Sequence, residues 1–396
     1  MSMILRSFYL SVKMILLLDF KTYHKINQKW QRPKLGGSIM HKRLFIPGPV
    51  DVAEDVLLKM ATPQISHRGK EVSAIQRNIS DKMRKVFNTK EEIILSTSSG
   101  SGLMEGAVRS CTAKRAAVFS IGAFGNRWFE MCTANGIPAD KFESEWGMPT
   151  TPEMLEEALS TGKYDLITIT MNETSTGLMN NMEALSAVYK KYPEVVVCVD
   201  TVSNAAGTEI KVDEWAIDIC ITSTQKCLGL PAGMAVCSFS KKAVERAKQV
   251  PNRGIYFDLL GLYDFIQKKD YQYPSTPSLA HMFALDYQLD KIMQEGLENR
   301  YARHIAGAEL VRAWARKYFE VLPTEEFMSN TVTTIKNTRE INVSDLNKKL
   351  GEKGFMISNG YGKLKDKTFR IAHMAETTTK EIEDLLVLIS EILGLK

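Results

Sequence analysis

An aspartate and a lysine in this chain each stand directly beyond an apolar run. Asp200 ends the run Val195–Val199, and Lys226 follows Ile217–Thr222 through Ser223, Thr224 and Gln225. A carboxylate just past five apolar residues needs a partner if it is buried, although an N-cap or a structural ion pair would satisfy it equally well. After Lys226 comes Cys227-Leu228-Gly229-Leu230-Pro231-Ala232-Gly233, a loop broken by glycine and proline, so the lysine is not on a solvated helix face. A desolvated amine close to other positive charge loses its proton more readily and becomes a nucleophile toward carbonyls. The plainer reading is a lysine that merely lines a loop. Together the two residues suit an aldehyde-bearing pyridine: the amine for the aldehyde, the acid to keep the ring nitrogen protonated. Such a ring accepts the electrons left when a substrate loses its α-proton. The displaced lysine can then move that proton as base and acid, which contributes ~10²–10⁴-fold in rate. A third segment, Thr97-Ser98-Ser99-Gly100-Ser101-Gly102, joins the run Ile93–Ser96 to a helical stretch. Backbone N–H groups at such a helix start can cradle a phosphate. The segment lacks the Gly-Lys-Thr ending of a Walker loop and the spacing of a dinucleotide fingerprint.

The elements that must position these residues are legible as periodicity. Ile93–Ser96, Ala116–Phe119, Leu166–Thr170, Val195–Val199, Ile217–Thr222 and Met234–Ser238 are nearly continuous apolar runs. They predict strands buried on both faces of a mostly parallel sheet. Helical patterns lie between them at Glu71–Val86, Gly102–Ser110, Trp128–Asn135, Pro152–Leu159 and Met182–Lys191. This is α/β architecture, in which ligands bind at the carboxyl ends of the strands. A long helical stretch, Ser278–Phe319, broken near Gly296, leads out of it. Strands at Thr331–Ile335, Met356–Ser358 and Phe369–His373 follow, with helices at Val343–Glu352 and Lys380–Leu393, the second opened by the capping-box pair Thr378 and Glu381. The expected division is an extension over 1–39, a large domain over 40–290 with an N-terminal arm at 40–60, and a smaller α+β domain over 291–396.

Composition narrows the class of function. The chain has 396 residues, 44% hydrophobic and 24% charged, with a net charge of +5. Nine basic residues and one acid, Asp19, lie within Met1–Arg43, so the remainder is mildly acidic and does not invite nucleic acid. Met14–Leu18 is too short to span a bilayer, and no small-residue cleavage site follows it. The first 39 residues are therefore expected to be disordered, with a basic organellar presequence as the alternative. The six cysteines form no CxxC pair and no metal-ligand spacing, which favours buried thiols in a cytoplasmic protein and no metal.

The order of short segments is more specific. Pro47-Gly48-Pro49, Ser66-His67-Arg68, Ser99-Gly100-Ser101-Gly102, Gly122-Ala123-Phe124-Gly125-Asn126-Arg127-Trp128, Asn172-Glu173-Thr174-Ser175-Thr176-Gly177, Val199-Asp200-Thr201-Val202, Ser223-Thr224-Gln225-Lys226, Ser275-Thr276-Pro277 and Phe369-Arg370-Ile371 occur in sequence. From about Leu44 to Leu393 the chain resembles the class V, fold-type I aminotransferases, and among them the alanine–glyoxylate, serine–glyoxylate and serine–pyruvate group. The resemblance implies pyridoxal 5′-phosphate as cofactor, bound to Lys226 as a Schiff base, with Asp200 on the ring nitrogen. It implies that Ser99, Gly100 and Ser101 hold the phosphate and that Thr224 and Gln225 close its far side. Phe124 would stack on the ring, Thr174 would lie near the phenolic oxygen and Val202 beneath the ring. Thr276 and Tyr273 would reach the phosphate from a partner subunit, implying a homodimer with shared active sites. Arg370 would bind the α-carboxylate of a small amino acid, alanine or serine, and of a 2-oxo acid, glyoxylate or pyruvate. The family often has His where this chain has Met171, next to the site, which bears on substrate preference.

Rival chemistries fit less well. Cysteine desulfurases resemble the chain in fold type, but carry His before the lysine, where Gln225 stands, and a cysteine in the C-terminal part, whereas the last here is Cys237. Ser223-Thr224-Gln225-Lys226 also fits a Ser-x-x-Lys acyl enzyme, as does Ser238-Phe239-Ser240-Lys241, yet the Lys-Thr-Gly and Ser-Asp-Asn partners are missing. With Lys226, Asp200 and Arg370 all present, nothing supports a catalytically dead relative that only binds another protein. An aspartate-specific member of the same class remains the alternative substrate reading.

Overall fold

Strands covered on both faces must be apolar throughout, and each continuous run read from the sequence becomes one. The computed structural model describes residues 41–396; the extension expected over 1–39, with any presequence in it, lies outside them. Residues Lys42–Lys396 form one unit. Its strands are β1 Arg43–Phe45, β2 Glu92–Ser96, β3 Ala116–Ser120, β4 Ala139–Glu143, β5 Leu166–Thr170, β6 Asn172–Glu173, β7 Leu178–Met179, β8 Val196–Asp200, β9 Ile219–Ser223, β10 Ala235–Phe239, β11 Glu320–Val321, β12 Val332–Lys336, β13 Phe355–Asn359 and β14 Thr368–Ala372.

The seven-stranded sheet has the order β2-β10-β9-β8-β5-β3-β4. Only β10 runs against its neighbours, pairing antiparallel with β2 and β9. Helices Lys70–Phe87, Gly100–Cys111, Pro152–Leu159 and Met182–Tyr189 fall where the periodicity puts them, and Ala123–Ala134 begins five residues before the expected Trp128. The long helical stretch is two helices, Leu279–Glu295 and Leu297–Tyr318, parted at Gly296, whose φ of 83° ends the first. Asp200 pairs with Thr170 on one side and Ile221 on the other. The carboxyl ends of β2, β8 and β9 therefore share one edge of the sheet, and Ser99, Asp200 and Lys226 follow them there.

The second sheet has the order β1-β13-β14-β12-β11. Phe45, Ile335, Ile357, Phe369 and Ile371 pack there against Leu346, Ile382 and Leu385 of helices Val343–Glu352 and Thr379–Leu393. The capping box is formed in full: Glu381 N–H donates to Thr378 Oγ1 at 3.3 Å and Thr378 N–H to Glu381 Oε2 at 2.8 Å. β1 pairs in parallel with β13, so the start of the described chain and its last hundred residues share this sheet. Strand β4 is not foreshadowed by any apolar run. Its residues Ala-Asp-Lys-Phe-Glu are half exposed, and pairing along β3 holds them at the edge. All six cysteines are buried and unbridged.

Asp165, just before β5, ties the end of helix Gly100–Cys111 to the sheet. Its carboxylate accepts from the N–H groups of Ala113, Lys114 and Arg115 at 2.8, 3.0 and 3.0 Å and from Arg246 Nη1 at 2.8 Å. Asp165→Ala strands three N–H donors and a half-buried guanidinium, which should cost ~3 kcal/mol or more. The loss will register as a lower urea midpoint with an unchanged slope. A midpoint like that of the parent protein would show that the carboxylate is dispensable.

Candidate active site

At the carboxyl edge a cavity of about 100 Å³ is lined by Ser99, Gly100, Ser101, Met104, Phe124, Arg127, Thr174, Asp200, Val202, Gln225 and Lys226. Most of the residues singled out from the sequence thus meet in one place. Lys226 is 8% exposed, and its Nζ donates to the carbonyl of Pro47. Burial, and secondly the charge of Arg370, bring its pKa down to about 8. Gly48 presses directly on this side chain. Its φ of 95° favours glycine, and a Cβ there would lie 2.7 Å from Lys226 Nζ, so a larger residue would both strain the backbone and displace the amine. The Pro-Gly-Pro segment was visible in the sequence, but its contact with the lysine was not.

Asp200 is 3% exposed and accepts a hydrogen bond from Val202 N–H at 2.8 Å. Among the described residues no cation lies within ion-pairing distance of it. Burial pushes its pKa up to about 7. Phe124 begins helix Ala123–Ala134, and Glu173 holds that helix start. Glu173 Oε2 accepts from Phe124 N–H at 2.9 Å and Gly125 N–H at 3.0 Å, while Oε1 accepts from Ser175 N–H and Oγ. An acid on helix N–H groups is well placed, although full burial raises its pKa. Its positioning role was not legible, because its partners lie about fifty residues away.

Ser99, without a side-chain cap bond, precedes helix Gly100–Cys111, and Ser101 Oγ accepts from Arg127 Nη1 at 3.3 Å. Gln225 also lines the cavity. Arg370, on β14, is 6% exposed; its Nε donates to the Asn359 carbonyl and its Nη1 to that of Thr174, both at 3.1 Å. Burial lowers its pKa to about 10. Four expected residues are not at the cavity wall. Arg370 meets the cavity lining through its bond to the Thr174 carbonyl. Thr224 is fully buried, its hydroxyl committed to the Pro231 carbonyl at 2.7 Å. Tyr273 is 3% exposed, and its hydroxyl accepts from Thr97 N–H of its own chain at 3.2 Å. That hydroxyl therefore braces the loop before Ser99 within its own protomer. Thr276 is exposed. Met171, expected to flank the site, packs in the apolar core and does not line the cavity.

Pyridoxal 5′-phosphate suits this set of groups. A buried carboxylate with no cation beside it matches a protonated ring nitrogen, and an amine with a lowered pKa matches an aldehyde. The serine-bearing helix start matches a phosphate; a Cβ on Gly100 would intrude to 2.6 Å from Val202 Cγ2. Among the described residues no cluster of His, Cys, Asp or Glu could hold a metal ion.

The aminotransferase class-V family model matches residues 54–385. The chain belongs to that family. An uncharacterised aminotransferase of Methanocaldococcus jannaschii is 37% identical to this class V aminotransferase over 349 residues, 86% of this chain and 90% of the relative. A serine–glyoxylate aminotransferase of Arabidopsis thaliana is 30% identical over 362 residues, covering 88% and 90%. The crystal structure of an alanine–glyoxylate aminotransferase from Nostoc sp. superposes with a TM-score of 0.85 at 24% identity, over 93% of this chain and 98% of that one, and shares its fold. Membership makes the protein a pyridoxal-phosphate-dependent transaminase.

The Lys226 environment has a measurable consequence. The neutral amine is the form that attacks an aldehyde, and it accumulates as pH rises through about 8, where an ordinary lysine would require 10.5. The rate at which cofactor-free protein captures pyridoxal 5′-phosphate should therefore rise with a midpoint near pH 8 in stopped-flow absorbance. Arg370→Gln removes a nearby positive charge and should move that midpoint upward. A midpoint near that of free lysine would mean the amine is solvated.

Proposed function

We propose that this aminotransferase moves an amino group from a small amino acid, serine or alanine, to glyoxylate or pyruvate. The observation that carries the reading is Arg370. It is a buried guanidinium held by two backbone carbonyls, on the Thr174 side of the cavity and near enough to Lys226 to depress its pKa. The fork of a guanidinium binds a carboxylate through two parallel charge-assisted bonds. An α-carboxylate held there brings the substrate's α-carbon toward Lys226, for the amino donor and the oxo acceptor alike. The serine–glyoxylate relative supports this donor and acceptor class.

Pyridoxal phosphate supplies an aldehyde for the substrate amine and a ring that takes up the electron pair left at the α-carbon. The residues of this chain do the rest. Ser99, Ser101 and the N–H groups of the helix start would hold the phosphate, with Gln225 closing on it. Phe124 and Val202 would confine the ring, and Thr174 would lie near its phenolic oxygen. Asp200 favours a proton on the ring nitrogen, a charge interaction that recovers some of the cost of its own burial. Lys226 Nζ takes the proton from the substrate α-carbon and returns it to the carbon that bore the aldehyde.

Three further readings belong with this one. The segment Ile255–Tyr256 is exposed to 92% and 49%, and Tyr256 Oη donates to the Thr97 carbonyl beside the phosphate loop. An apolar rim next to the site supports a homodimer in which exposed Thr276 reaches a partner's phosphate. The two separate sheets support a large cofactor domain to about residue 290 and a smaller one beyond. No helix among the described residues is long and apolar enough to cross a membrane; we place the enzyme in the cytoplasm.

A donor screen against glyoxylate, pyruvate and 2-oxoglutarate tests the substrate pair, with serine or alanine expected to lead. Aspartate ahead of both would overturn the reading. Arg370→Lys loses the fork, and because breaking a buried pair costs ~3–5 kcal/mol, kcat/KM should fall by ~10²-fold or more in both half-reactions. A loss confined to one half-reaction would show that Arg370 reads a side chain instead. Asp200→Ala should retain bound cofactor, seen as a visible absorption band that borohydride fixes to Lys226, while nearly abolishing turnover. A variant with most of its kcat would make the acid structural.

A further inference from the structure

A second guanidinium stands at the site, with no part in the steps assigned above to Arg370, Asp200 and Lys226. Arg127 lines the cavity beside Phe124. Its guanidinium carbon lies 4.8 Å from the Phe124 ring centroid, Nη1 donates to Ser101 Oγ at 3.3 Å, and Nη2 donates to Tyr361 Oη at 3.3 Å. The Tyr361 ring stacks on Phe124 with centroids 5.5 Å apart and planes at 27°. On its other side the Arg370 guanidinium lies 5.5 Å from the Tyr361 centroid. Tyr361 therefore stands between the two cations, its ring toward one and its hydroxyl on the other.

That placement is imposed by the chain. Asn359 builds both the arginine anchor and the turn that carries the tyrosine. Its carbonyl accepts from Arg370 Nε at 3.1 Å. Its side-chain oxygen accepts from Gly360 N–H at 2.7 Å and Asp366 N–H at 2.9 Å, and its Nδ2 donates to Asp366 Oδ1 at 2.7 Å. At the far end of the turn, Lys363 Nζ rests 4.0 Å from the Trp146 ring centroid. Tyr361 is 37% exposed, and its carbonyl accepts from Leu364 N–H at 3.1 Å within the turn.

We propose that Tyr361 determines substrate specificity by sequestering Arg127, so that a substrate carboxylate is accepted at Arg370 while a second, side-chain carboxylate finds no partner. The inference rests on the small-donor reading of this same site. A dicarboxylic amino acid bound through Arg370 would direct its second carboxylate toward the neighbouring guanidinium. There it would have to displace the phenol hydroxyl and the ring that screens Arg127. Exclusion by a blocked cation is specificity by obstruction, and it requires no loss of affinity for the small substrate.

The test uses holoenzyme carrying Tyr361→Phe, which removes the hydroxyl, or Tyr361→Ala, which removes the ring as well, each with and without Arg127→Gln. Two quantities are read: the kcat/KM ratio of aspartate to serine with glyoxylate as acceptor, and calorimetric binding of succinate against propionate. Both single variants should raise the ratio, by ~10-fold or more for Tyr361→Ala, and should tighten succinate while propionate changes less than ~3-fold. Adding Arg127→Gln should erase both gains. An aspartate ratio and succinate affinity that stay within ~3-fold of the parent overturn the proposal, as do gains that persist without Arg127. The unmodified enzyme decides the small-donor reading separately. If it already favours aspartate, that reading falls, and the change from parent to variant still decides the role of Tyr361.

Discussion

An ammonium group without water around it is costly, and the site is organised about that cost at Lys226. The side chain is walled by Gly48 and the Pro47 carbonyl on one side and faces the cavity on the other. Arg370 adds like charge. Desolvation and repulsion act in the same direction, both favouring the neutral amine. A solvated lysine at the same sheet edge would be almost wholly protonated near neutral pH and a poor nucleophile. The parallel strands supply the location, but the low-dielectric enclosure supplies the reactivity.

The carboxylates respond oppositely to the same enclosure. Burial penalises the charged forms of Asp200 and Glu173, and the charge of Glu173 adds to the rise at Asp200. They differ in what compensates them. Glu173 spends its oxygens on the N–H groups of Phe124, Gly125 and Ser175, which makes it a positioning residue. Asp200 has a single backbone donor, leaving most of its acceptor capacity directed at the cavity. Similar residue types thus divide into framework and chemistry according to how many donors the surrounding backbone already provides.

This division explains what was legible beforehand. The doubly covered strands were readable because burial on both faces forces an unbroken apolar run, and the residues ending those runs, Asp200 and Lys226, were readable with them. Local signals such as the capping box of Thr378 and Glu381 were equally plain. Strand β4 was not, because its stability comes from pairing with β3 and not from its own alternation. Gly48 against Lys226, Glu173 against Phe124, and Tyr361 between Arg127 and Arg370 were invisible for a related reason. Each joins residues from separate parts of the chain, and no periodicity encodes such a meeting. Tyr273 is a further case: its hydroxyl accepts from Thr97 N–H, a contact across the chain that no motif announces.

The two halves of the site come from different sheets. Asp200, Lys226 and the phosphate-binding helix start follow strands of the seven-stranded sheet, and so does Phe124 through helix Ala123–Ala134. Arg370 and Tyr361 come from β14 and from the turn between β13 and β14 in the five-stranded sheet. Cofactor chemistry therefore depends on the register of β8 with β9, and substrate recognition on one hairpin some distance along the chain. A substitution in the turn at 360–366 can alter which carboxylate is admitted without moving the amine or the acid. Conversely, the hairpin cannot drift freely, because Arg370 Nη1 donates to the Thr174 carbonyl, one residue after Glu173, which holds the Phe124 helix. That bond ties the hairpin of the five-stranded sheet to the segment that holds the Phe124 helix: under the proposed reading, the arginine meant for the α-carboxylate is indexed against residues of the cofactor site.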